Sequence, residues 1–112
     1  MSATIPLFPL RTVLFPEGLL QLRIFETRYV DMVRRCLREQ GVFGVVQIRD
    51  GGEVGAVGAV ADVGTSARIV DFAALPDGLL GIVARGERRF RLEGRQIQRD
   101  GLHVGTVRWL DE

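Results

Sequence analysis

The chain has 112 residues, 46% of them hydrophobic and 26% charged, with a formal net charge of +1; these values exclude a disordered or fibrous chain and give one domain, too short for two cores yet long enough to bury one without disulfides or metal. All 15 basic residues are arginine, which excludes a Walker A loop, Schiff-base catalysis and a Ser–Lys dyad, since each needs a lysine amine. With Cys36 and His103 the only residues of their kinds, an internal disulfide and a Cys- or His-clustered metal centre are excluded as well.

No cofactor is expected. The N-terminal MSATIPLFPLRTVLFPEG has no basic stretch leading into a clean apolar run, and nothing approaches the roughly 18 apolar residues needed to span a bilayer. A soluble, cytoplasmic protein without a membrane partner follows as the expectation.

In chain order, IPLFPL at 5–10 is apolar but carries Pro6 and Pro9, which cannot donate to a sheet ladder, so an edge or irregular, bent strand is predicted. Residues 11–18, RTVLFPEG, read as a loop in which Val13, Leu14 and Phe15 are unusually apolar. From Leu19 to Phe25 the pattern alternates, with Leu20, Leu22 and Ile24 on one strand face. Residues 26–40 form the one predicted helix, because Tyr29, Val30, Met32, Val33, Cys36 and Leu37 recur at helical spacing. Glu26 and Asp31 lie toward its start, Arg34, Arg35 and Arg38 toward its end, and Gly41 supplies a stop.

Beyond Gly41 the period becomes two. Strands are predicted at Phe43–Arg49, Val57–Val63, Arg68–Phe72, Leu79–Arg85, Glu87–Glu93 and Leu102–Leu110, parted by turns such as DGG at 50–52, LPDG at 75–78 and DG at 100–101. The expected fold is mainly β (α+β): an antiparallel meander of six or seven strands curled into a barrel or near-barrel, with the helix plugging or covering one opening.

Three blocks, IPLFPLRTVLFPEGLLQLRIFETRY at 5–29, GTSARI at 64–69 and LPDGLLGIVARGERRFRLE at 75–93, resemble the LON substrate-binding domain, the N-terminal domain of Lon proteases that also occurs as a stand-alone bacterial protein. The resemblance implies a PUA-like β pseudo-barrel, non-catalytic, which in the protease helps to recognise damaged or unfolded protein substrates. It further implies that residues 1–112 are the β subdomain alone, without the helical stretch that follows it in the family. A truncated product and a minimal version both remain open.

The residues divide as follows. Arg23, Glu26 and Arg28 at the strand–helix junction either bind an anion or pin the junction, and pinning is favoured because no further polar group converges there. Arg85 to Arg99 holds six arginines against Glu87 and Glu93, a local charge of +4. Arg85, Arg89, Arg91 and Arg95 alternate on one predicted strand face and are the candidates for nucleic-acid binding. Interleaved acids and the absence of a stacking platform favour a solvated face instead. Cys36 reads as a small core hydrophobe, and neither His103 nor Ser66 has a partner for catalysis. Val13, Leu14 and Phe15, with Leu75, Leu79 and Trp109 at strand ends, either pack internally, meet the helical half that follows in the family, or line a groove for extended hydrophobic segments, by edge addition or pocket insertion.

The leading expectation is a binding module, not an enzyme, whose partners are unfolded or client polypeptides and a protease or chaperone that receives them. RNA binding by the arginine-rich strand is the less favoured alternative, and a small-molecule site in the barrel mouth is a third. Dimerisation to cover an apolar edge stays open.

Overall fold

The computed structural model describes residues 1–49 and 59–110. The elements run β1 (Ser2–Leu10), β2 (Leu19–Ile24), α1 (Thr27–Glu39), β3 (Phe43–Gln47), β4 (Val63–Ala74), β5 (Leu80–Ile97) and β6 (His103–Trp109). Strand order is β2-β5-β4-β3-β1-β6, and a further β5–β6 pairing closes five of the strands into a ring, with β2 attached to β5 from outside. This is the mainly β pseudo-barrel with one helix that the sequence led us to expect, a ring of strands and not a regular barrel. The expected turn at 50–52 and the start of the expected strand at 57–63 lie outside the described residues; of that strand, Val60 bridges Ile48 and Val63 opens β4.

Three expectations are corrected. The first strand is not an edge: β1 stands between β6 and β3. Its prolines fit because it changes partner along its length, pairing with β6 over Ser2–Pro6 and with β3 over Leu7–Leu10. Each proline therefore lies in a stretch laddered on one side only, which spares the missing N–H. Nor is the sheet wholly antiparallel, since β1 and β3 run parallel; β2 and α1 between them supply the long crossover that a parallel pair requires.

The two strands expected at 79–85 and 87–93 are one, the 18-residue β5. Gly86, which reads as a break, is a point of close approach, where the loop at 14–18 lies against the strand. The Glu17 amide donates to Gly86 O at 2.8 Å, and the Gly86 amide donates to Gly18 O at 2.8 Å. Next to it is a bulge: Thr65 faces Arg89 while Ala67 faces Gly86, so Glu87 and Arg88 together oppose Ser66. Ser66 Oγ, buried, accepts the Arg88 amide at 3.1 Å and satisfies a donor that the bulge removes from the ladder.

The buried apolar residues form two clusters, where the chain length alone suggested one core. Phe8, Leu10, Ile24, Phe43, Ala67 and Ile82 meet the helix residues Tyr29, Met32, Val33 and Cys36 in the larger. Ile5, Leu7, Val46, Phe90 and Val107 form the smaller. Alternation explains the division, because successive residues of β1 and β3 point to opposite faces of a tightly curled sheet, and both faces are covered. The helix packs on the larger cluster. At its end Gln40 takes the left-handed position, φ 54°, and the Gly41 amide donates to Cys36 O at 2.9 Å.

Candidate functional site: an apolar groove across β2, β5 and β4

The groove arises from the way β5 is flanked. Across the ladder Gln21, Val83 and Asp71 stand side by side, followed by Arg23, Gly81 and Ala73. Directly opposed residues share a face, so these six form one surface. Gly81 and Ala73 leave a hollow of about 710 Å³, lined also by Phe72, Leu75, Pro76 and Asp77. Leu75 leans over it: a Cβ on Gly81 would lie 3.0 Å from Leu75 Cδ2. Phe72 is 56% exposed.

The wall of the groove is the β4–β5 turn. Leu75 N donates to Leu79 O at 2.8 Å, and Gly78, at φ 84°, returns its amide to Leu75 O at 2.9 Å. Asp77 Oδ1 accepts the Leu79 amide at 3.1 Å, and the Asp77 carboxylate also pairs with Arg23, tying the turn to β2. The Leu79 amide first, and then the Arg23 guanidinium, hold the Asp77 carboxyl below its ordinary range.

The six apolar candidates do not converge. Leu75 lines the groove and Leu79 braces its turn. Leu14 is core, its carbonyl accepting Thr65 Oγ at 2.7 Å, and with Val13 it borders a separate hollow of about 310 Å³ beside Arg89. Phe15 is 60% exposed, with the Arg89 guanidinium 5.9 Å from its ring centroid. Trp109 packs edge-on against Phe90 beneath Arg88. Nothing in the local sequence marks Gln21, Val83 or Ala73 as groove residues; they meet only through the register of three strands. The single available signal was Gly81, an unpunctuated glycine inside a strand pattern.

The arginines separate as well. The bulge opposite Ser66 and a second shift between Leu92 and Gly94 each change the alternation. Arg89 and Arg91 share the face of Thr65, whereas Arg85 and Arg95 fall on the other face by their pairing with Arg68 and Gly105. The expected common face of four is thus reduced to two. Glu93 and Arg108 pair at 2.9 Å, as do Arg68 and Glu87 at 3.0 Å.

At the junction before α1, Glu26 pairs with Arg28 at 3.0 Å, and Arg28 also donates to Gly101 O at 2.8 Å, which ties the helix start to the β5–β6 turn. Arg23 is not in this group but at the groove wall. Burial raises the Cys36 thiol above its ordinary pKa, as for an inert core residue. His103 is buried, and desolvation, helped by Arg95 and Arg28, lowers its pKa below 6.5. The unfolded chain therefore takes up the proton first as pH falls through about 6.5, and stability is complete above that value and lost below it. Thermal melts should show wild type losing more between pH 7.5 and 5.5 than His103→Gln; equal losses would remove His103 as the cause. Among the described residues no group of His, Cys, Asp and Glu is arranged to hold a metal, and no helix is long and apolar enough to cross a membrane.

Comparison with known proteins decides the family. The model of the ATP-dependent protease La (LON) substrate-binding domain matches residues 4–112. The chain belongs to the LON substrate-binding domain family. The crystal structure of a Lon N-terminal domain protein from Xanthomonas campestris is 43% identical, with a TM-score of 0.87 over 97% of this chain and 60% of that one. The N-terminal domain of a Mycobacterium avium complex Lon protease is 17% identical over 98% of this chain and 56% of that one, and at a TM-score of 0.73 it shares the fold. Lon protease of Cytophaga hutchinsonii is 32% identical over 98% of this chain. The LON domain here spans only 14% of that protease. The matching family is that of the substrate-binding domain and not of the protease domain, while the curated relatives are whole proteases.

Proposed function

We propose that this LON domain is a non-catalytic module that takes exposed hydrophobic segments of unfolded or client polypeptides and presents them to a partner protease or chaperone. The observation that carries this reading is the groove above Gly81: open, apolar in its walls and held in shape by the Arg23–Asp77 pair and the bonds of the Leu75–Leu79 turn. Preorganised concavity of this kind lowers the ordering cost of binding an extended chain. The proposed contact set keeps Leu75, with Leu79 as its support, and adds Val83. Val13, Phe15 and Trp109 form no part of the groove.

The test is a fluorescence titration of the domain with a denatured, alkylated model protein. Saturable binding that survives moderate salt is expected, and Leu75→Ala with Val83→Ala should weaken it about tenfold, roughly 1.4 kcal/mol. An Arg89→Glu, Arg91→Glu variant should bind as wild type does. No saturable signal would overturn the reading. A steep salt dependence with loss in the arginine variant would favour an anionic partner instead.

A further inference from the structure

The polar groups of the groove are unequal in sign. Its lining carries two carboxylates, Asp71 and Asp77, against one guanidinium, that of Arg23. Arg23 and Asp77 pair with each other at the turn. Asp71 stands two positions along β4 from Ala73, on the same face, beside Val83 and opposite the end where that pair closes the wall. Its Oδ1 accepts the Phe72 amide at 2.9 Å, which fixes the side chain in place. Among the described residues Asp71 is in no ion pair, so the floor of the groove ends in an exposed negative charge.

We propose that the groove discriminates among extended apolar segments by charge, preferring those with a Lys or Arg next to the apolar residue it receives. The inference rests on the polypeptide-binding reading above and specifies its substrate class. An apolar side chain seated over Gly81 lies among Leu75, Ala73 and Val83, and a basic side chain two residues along an extended segment falls on the same face, toward Asp71. An acidic residue in that place meets a like charge. Because Asp71 is exposed, the effect is one of selection between segments and not of overall affinity.

Three synthetic peptides test it, sharing one extended apolar centre and differing only in flanking Lys, Gln or Glu. At low salt the Lys peptide should bind about two- to fivefold tighter than the Gln peptide, the range of an exposed ion pair, and the Glu peptide weaker than both. Salt near 0.5 M should bring the three together. Asp71→Asn should remove the ranking, so that the three peptides bind that variant alike, and Leu75→Ala should weaken all three while keeping their order. A ranking that persists in Asp71→Asn, or three equal affinities in wild type, would overturn the charge preference and leave the polypeptide reading standing. If none of the three binds, the polypeptide reading falls and the preference with it.

Discussion

Phe90→Ala is expected to destabilise the domain by about 3–5 kcal/mol, the range for emptying an aromatic site in a packed core. Phe90 is fully buried and stands at the centre of the smaller cluster, with Ile5, Leu7, Val46 and Val107 around it and Trp109 against its edge. The strands leave room for it by omitting side chains: a Cβ on Gly64 would lie 2.6 Å from Phe90 Cζ, and one on Gly44 would lie 2.8 Å from it. A cavity at that point borders backbone on several strands, which cannot collapse inward without breaking the ring. Small domains are stable by only about 5–15 kcal/mol, so the urea midpoint should fall by a large fraction of its value. Phe72→Ala is the contrast, since Phe72 is more than half exposed; it should change stability by less than about 0.5 kcal/mol. If the two variants unfold at the same urea concentration, the assignment of one phenylalanine to the core and the other to the surface is wrong.

Gly86→Ala should cost about 1–3 kcal/mol through overpacking and free the loop at 14–18 from β5. The added Cβ would stand 2.3 Å from Phe15 O and 3.1 Å from Leu14 Cγ, and the first of these is backbone, which cannot rotate away. The loop has to lift, and with it go the paired bonds between Glu17, Gly18 and Gly86. Hydrogen exchange reads this directly: the Glu17 and Gly86 amides should lose protection in the variant well before the amides of β3. Gly94→Ala is the control on the same strand, because nothing lies within 4 Å of its added Cβ. Equal exchange in wild type and Gly86→Ala, with full stability, would mean that the loop does not depend on this contact.

The helix was legible because a 3.6-residue apolar period over thirteen residues identifies both the element and its buried face, and Tyr29, Met32, Val33 and Cys36 are the residues it buries. β2 was legible for the corresponding reason at period two. The split of 79–93 into two strands was not a fault of periodicity. A glycine required for close approach and a glycine required for a turn are the same letter, and only the position of the loop at 14–18 tells them apart. Likewise Pro6 and Pro9 argue correctly against two-sided pairing at each residue, but partner exchange between β6 and β3 places the strand inside the sheet all the same.

The candidate site was less legible, again for a physical cause. Val13, Leu14, Phe15 and Trp109 stood out as apolar residues in loops or at strand ends, yet exposure depends on what packs over them, and Leu14 proves buried. Of the apolar residues singled out, Leu75 alone lines the groove, with Leu79 bracing its turn. The groove depends on Gly81 and Ala73 meeting across a ladder, which is a fact of register between residues far apart in the chain.

Composition, period and motif, all local properties, were enough to determine a mainly β domain with one helix, the absence of lysine chemistry, and kinship with the LON substrate-binding family. Tertiary structure alone decided which face the residues of β5 serve. Two bulges in β5 reverse the side-chain alternation, separating arginines that look aligned in the sequence, and the closing of the ring creates two cores where chain length suggested one. Side-chain direction in a strand follows the count of residues along it, so one inserted residue, invisible without its partner strand, moves everything beyond it to the opposite side.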